Sequence, residues 1–217
     1  MTTSEGCSIF EQYPILLENG RLVDSFKMYA FNDYNDQKKW ADRHRLTSIE
    51  TCEELRYCLN NILEKYPVSS QNTNFNFAFC RGDTIPFWET KENINGGRWT
   101  FQIYMDFENL ERSCNYIDTL IIRLICEFID CDEDIFSEFT CFMVTIKASV
   151  YKIAVWNRNH KNTTAVDKIG KLINDALTMC PTFKCRRLTN KLDYGPHPKA
   201  NEILITRNIT VTFPPQI

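Results

Sequence analysis

The sequence predicts an α+β fold, with one curved antiparallel sheet and three helices covering one of its faces. Two observations point there. Several segments alternate apolar and polar residues with period two, which gives a sheet one packed and one freer face. Three others carry apolar residues at helical spacing, each forming a broad stripe that must be buried against something. The sheet face away from the helices is then open for a ligand. At 217 residues the chain fits one domain, expected over residues 13–217, with a patternless and mobile start at 1–12.

Each element has its own signal. "DSFKMYAF" is an early strand. "TCEELRYCLNNILEKY" opens a helix at Thr51 with Glu54 three residues on, a capping box, and Leu55, Cys58, Leu59, Ile62 and Leu63 follow at helical spacing. "NFNFAF" alternates Phe75, Phe77 and Phe79 with small or polar residues, and "WTFQIYM" alternates Trp99, Phe101, Ile103 and Met105. "YIDTLIIRLICEFI" places Ile117, Leu120, Ile121, Leu124, Ile125 and Phe128 on one helix face. "FTCFMVTIKASVYKIAVW" reads as two strands joined by a turn near Ser149. "TTAVDKIGKLINDALTMC" is a third helix, with Thr164 as N-cap and Val166, Ile169, Leu172, Ile173, Ala176 and Leu177 inward. Residues 186–201, "RRLTNKLDYGPHPKAN", read as a long basic loop, and "EILITRNITVTF" as a late strand.

Composition narrows the class. Hydrophobic residues make up 43% and charged residues 24%, enough for a sizeable core. The net charge of −3 argues against gripping a nucleic-acid backbone along its length, so any nucleic-acid ligand is recognised locally. No stretch is long and apolar enough to span a bilayer or resembles a signal peptide, so no membrane partner is expected. The ten cysteines and three histidines show no zinc spacing, so no metal or cofactor is expected. Reduced thiols in a cytosolic protein are the natural reading.

The stretch "IPFWETKENINGGRWTFQI" holds two of the four tryptophans, an acid directly after the first, and Gly-Gly-Arg. Taken singly its parts are ordinary. Glu89 would be a solvated acid, Gly96-Gly97 a hairpin turn, and Trp99, in register with Phe101 and Ile103, a core residue. Trp88, between a proline and a polar run, reads as a loop residue, where binding groups concentrate. Together, "PFWETKENINGGRW" resembles the Trp-Glu plus Gly-Gly-Arg-Trp signature of the translation initiation factor 4E family, which binds the 7-methylguanosine cap of messenger RNA. "KKWADRHRL" resembles the family segment carrying the other stacking tryptophan, and "TIKASVYKIAVW" its basic hairpin ending in tryptophan. The resemblance implies about eight strands, with the three helices on the convex face and the cap slot on the concave side.

It also assigns roles. N7 methylation makes guanine a flat cation, and facing indoles hold such a cation best. Trp40 and Trp88 would be those plates, and Trp156 would rest against the N7-methyl group. Glu89 would accept from guanine N1–H and N2–H together, a charge-assisted bidentate contact that adenine cannot return. Arg98, Lys147 and Lys152 would hold the phosphates. Lys147 stands where the family usually has arginine, and Ser149 where many members have lysine. Arg186, Arg187, Lys191 and Lys199 would border the cap or the following RNA.

The implied partners are capped mRNA and a scaffold of the initiation factor 4G type, or a binding protein with a Tyr-x-x-x-x-Leu-Φ motif. Their docking surface would take in Tyr13, Pro14, Ile15, Cys52, Arg56, Ile117, Asp118 and Ile121. Arg56 falls where the family has an anchoring tryptophan, which suggests a variant contact. Two roles follow: cap binding in translation initiation, or a repressor or message-sorting variant without the usual scaffold. A third, of another class, is a nucleotide or cap hydrolase. Hydrolysis needs clustered carboxylates and a metal, whereas Asp130, Asp132, Glu133 and Asp134 read as a solvated helix end. A Cys–His nucleophile pair is a matter of spatial proximity, and the sequence leaves it open. The expectation is a non-enzymatic cytoplasmic binding protein.

Overall fold

The structure is a computed structural model that describes residues 12–14, 19–32, 41–42, 44–65, 67–71, 74–104, 110–147, 150–179, 191–198 and 207–210, with the main chain alone at 63, 64, 70 and 110–115. Of the residues expected at a site or partner surface, Ile15, Trp40, Ser149, Arg186, Arg187 and Lys199 lie outside this set.

Eight strands form one sheet: β1 (Arg21–Phe31), β2 (Arg45–Thr51), β3 (Asn76–Arg81), β4 (Gly97–Tyr104), β5 (Phe139–Lys147), β6 (Val150–Asn157), β7 (Lys191–Pro196) and β8 (Arg207–Thr210). Their order is β2-β1-β3-β5-β6-β4-β7-β8, and every pairing is antiparallel. The helices are α1 (Cys52–Glu64), α2 (Leu110–Ile129), α3 (Glu133–Glu138) and α4 (Thr163–Met179). The main core joins their inward residues to one set of alternating strand residues, among them Phe26, Phe79, Trp99, Phe142 and Tyr151, so the helices lie on one face of the sheet. The α+β expectation holds, with the short α3 added.

Thr51 caps α1 through the predicted reciprocal bonds with Glu54. The cap of α4 falls earlier than expected, because Asn162 accepts from the Ala165 N–H at 3.3 Å while Glu138 holds its amide. β3 begins two residues late, since Asn74 sits in the left-handed region at φ 69°, where a strand cannot continue. Two strands escaped the sequence reading. β2 is an edge strand with only Ile49 buried, so it shows no alternation. β7 falls inside the expected loop 186–201, where Gly195 and Pro196 mask the inward pair Leu192 and Tyr194.

The face away from the helices is not simply open. Register places its residues in rows that run across the sheet. Arg98, Trp156, Cys141, Cys80 and Lys27 form one, and Thr100, Ala154, Met143, Ala78 and Tyr29 the next. A third holds Gln102, Lys152, Thr145, Asn76 and Phe31. The loop 82–96 lays Phe87, Ile85 and Trp88 over the first two, closing a small second core with Tyr29, Cys80, Cys141 and Trp156. The six cysteines with described side chains form no disulfide.

Candidate functional site

The loop 82–96 is held by its own polar groups. Asn93 is fully buried, and its amide donates to the carbonyls of Ile85 (3.2 Å) and Phe87 (2.9 Å), clamping the backbone on the near side of Trp88. At the loop's end a side chain on Gly96 would come within 1.9 Å of the Asn157 carbonyl, and one on Gly97 within 2.3 Å of the Tyr194 hydroxyl. The paired glycines therefore let the start of β4 press against β6 and β7, and so fix Arg98. Trp99 then turns to the helix side, where its Nε1–H donates to the Val166 carbonyl at 2.8 Å. It is a core residue, as its register predicted.

Trp88, Glu89, Arg98 and Trp156 come together. With Pro86, Phe87 and Met143 they line a cavity of about 360 Å³. A second cavity of about 370 Å³ adjoins it, sharing Arg98 and Met143 and adding Lys147, Lys152, Thr145, Asn32, Asn74 and Asn76. Trp88 and Glu89 are half-buried. Glu89 Oε2 is buried and has no hydrogen-bond partner among the described residues. Lys152 is half-buried, and burial, Arg98 and Lys147 lower its pKa in that order. An anion placed among these three cations would relieve their mutual repulsion. The joined cavities thus offer an aromatic, acid-edged compartment and a cationic one, suited to a flat head group bearing two hydrogen-bond donors and an anionic tail.

Lys191 stands elsewhere, exposed on β7 and paired with Asp193 at 2.9 Å. A larger cavity, about 790 Å³, lies on the helix side between α1 and the β1–β2 edge, lined by Met28, Leu46, Tyr57, Ile62 and Phe77 among others. No cation lines it among the described residues, in contrast to the pair of cavities that share Arg98. Sequence reasoning missed Asn93 and His197 at the slot. Asn93 sits in a polar run that reads as surface. His197, in the segment read as a loop, packs its ring against Trp156.

The residues assigned to a partner surface are mostly inward. Ile117 and Ile121 are fully buried, and Cys52 is buried beside them in the core. Asp118 is buried and accepts from the Ser69 N–H at 3.0 Å and from its hydroxyl. The cause is the composition of α2, which from Tyr116 to Ile129 is apolar nearly all round and so is covered nearly all round. Tyr13 is also buried, its hydroxyl donating to Glu127 at 2.7 Å, and Arg123 donates to Gln12 at 2.8 Å. Arg56 and Pro14 retain exposure, with the Arg56 guanidinium donating to Asn19 at 3.1 Å.

An open antiparallel sheet with helices on one face and an aromatic, acidic and cationic slot on the other defines a binding protein for a flat, anion-tailed ligand. The chain belongs to the eukaryotic initiation factor 4E family, whose model matches residues 21–203. It is 25% identical over 162 residues to eukaryotic translation initiation factor 4E of Aplysia californica, covering 74% of this chain and 71% of that protein. It is 26% identical over 169 residues to the human factor 4E type 1B, covering 77% and 66% respectively. Caenorhabditis elegans eIF4E-3, in complex with the 4E-binding protein Mextli, superposes with a TM-score of 0.68 at 18% identity, over 88% of this chain and all of that one. Ascaris suum eIF4E-3 with m7G cap gives 0.67 at 17%, over 87% and 98%.

Proposed function

We propose that the slot binds the 7-methylguanosine cap of messenger RNA and that the protein acts in translation initiation as a non-enzymatic cytoplasmic factor. The observation that carries this is the convergence of Trp88, Glu89 and Trp156 on one cavity that Arg98 joins to a second holding Lys147 and Lys152. The methylated base stacks on Trp88, with Trp40 as the opposite plate. Glu89 accepts its two edge donors through a carboxylate whose Oε2 is buried without another partner among the described residues. Trp156 meets the N7-methyl, and the phosphates run across Arg98 to the lysines. Ser149, Arg186, Arg187 and Lys199 are candidates for further contacts along the RNA. The relatives' names and the cap-bound neighbour support the same reading. Fluorescence titration with 7-methyl-GTP and GTP tests it. Preference for the methylated nucleotide is expected, and equal affinity would refute it.

A second reading, a cap-binding repressor or message-sorting protein, has its own support. A partner helix would meet Arg56 in place of an indole, beside Ile117, Asp118 and Ile121 that are already buried. A charged, flexible side chain is expensive to desolvate, so a standard Tyr-x-x-x-x-Leu-Φ peptide should bind weakly. Calorimetry against the wild type and Arg56→Trp decides. Tight wild-type binding without gain in the variant would favour the ordinary scaffold contact.

A further inference from the structure

The indoles of Trp99 and Trp156 are held in different ways. Trp99 is pinned by a hydrogen bond from Nε1 to the Val166 carbonyl. Trp156 is as deeply buried, yet its Nε1–H has no partner among the described residues. Among the described residues, packing alone sets its ring plane. On one side that packing is His197, whose ring meets the indole edge-to-face, with centroids 4.7 Å apart and planes at 62°. His197 follows β7 directly, is 1% exposed, and is anchored by its own N–H to the Gly96 carbonyl at 3.0 Å. Neither of its ring nitrogens has a partner among the described residues.

His197 is also kept uncharged. Burial, then the positive charge of Arg98 and the nearby His160, lower its pKa to about 3. This matters beside a slot for a cationic base. An imidazolium behind Trp156 would oppose the positive charge the slot is built to hold, whereas a neutral ring leaves the indole face electron-rich.

We propose that His197 is a positioning residue: it fixes the plane of Trp156, and through it the preference of the slot for N7-methylated over unmethylated guanine. This rests on the cap-binding reading and extends it to a residue that does not line the slot.

Two variants that fill the same space separate the roles. His197→Leu removes the ring, and His197→Phe restores a neutral one. The first readout needs no ligand: the Trp156 indole N–H resonance should shift and broaden in His197→Leu and return toward the wild-type position in His197→Phe. The second is the affinity ratio of 7-methyl-GTP to GTP. It should fall about two- to tenfold in His197→Leu, the range of an edge-to-face pair, with GTP affinity nearly unchanged, and stay near the wild-type value in His197→Phe. An unmoved resonance and ratio in His197→Leu, or equal weakening of both nucleotides, or His197→Phe behaving like His197→Leu, would each overturn the proposal. A wild-type protein indifferent to methylation would instead overturn the cap-binding reading and the selectivity role with it, while the ligand-free resonance still decides whether His197 positions Trp156.

Discussion

Arg98 on β4 and Trp156 on β6 are direct cross-strand partners, and both side chains line the same cavity. The pairing puts the guanidinium at the joint between the aromatic and cationic compartments, where it can reach the first phosphate of a nucleotide whose base lies by the indole. On the proposed reading, one register step would couple base recognition to phosphate recognition. The two glycines before Arg98 allow that step, by letting β4 approach its neighbours closely.

If Trp88 is a stacking plate, Trp88→Ala should weaken 7-methyl-GTP binding by roughly 1–3 kcal/mol, about 5- to 150-fold. Trp40→Ala should do the same. Binding should also quench the intrinsic fluorescence of the wild type. Affinity unchanged in both variants would place the base elsewhere.

Glu89→Gln tests the edge of the base. The amide puts a donor where two acceptors are needed, so one guanine donor would be left unpaired against the buried Oε2 position, costing about 1–3 kcal/mol. Glu89→Gln should therefore lose most of the guanine preference while keeping its fold by circular dichroism. Full affinity in the variant would remove Glu89 from the contact.

The three clustered cations make the tail measurable. The wild type should prefer 7-methyl-GTP to the monophosphate, and Lys152→Met should erase about tenfold of that preference, the low end for hydrogen bonds to charged groups. Raising salt should shrink the preference in the wild type more than in the variant. Equal affinity for mono- and triphosphate would mean that Lys147 and Lys152 serve something else.

Much of this was legible in the residues. Period-two alternation located most of the sheet, and it set Trp99 apart from Trp88 because one lies in register with core residues and the other between a proline and a polar run. What escaped depended on chain crossings. β7 shows as a strand only once Leu192 and Tyr194 are known to join the main core alongside β4, and Asn93 looks like a surface residue until the loop folds over its amide. His197 is forty-one residues from Trp156, and only the β4–β7 pairing brings them together. The inward turn of Asp118 was hidden too, since helical spacing cannot tell a rim acid from one that receives a neighbouring turn.

That acid supplies the last prediction. Asp118 accepts from the backbone and hydroxyl of Ser69, and Ser69 in turn accepts from Tyr151 at 2.7 Å, tying the turn at 68–70 to both α2 and the sheet. Burial raises the Asp118 pKa from 3.8 to about 6, and the hydrogen bonds from Ser69 offset that only in part. A carboxyl whose folded pKa lies above its unfolded value favours the fold while both states are protonated. Its contribution is complete below about pH 4 and is lost as pH rises toward 6, a change of about 2–3 kcal/mol at one pKa unit per 1.36 kcal/mol. Asp118→Asn removes the titration and keeps an acceptor for the Ser69 N–H. Denaturation curves at pH 4, 5, 6 and 7 should show the wild type losing stability relative to Asp118→Asn across this window, then running parallel above it. Asp118→Ala should be destabilised at every pH, because it leaves the buried Ser69 N–H unpaired. A constant difference between wild type and Asp118→Asn from pH 4 to 7 would mean that Asp118 titrates near its ordinary value.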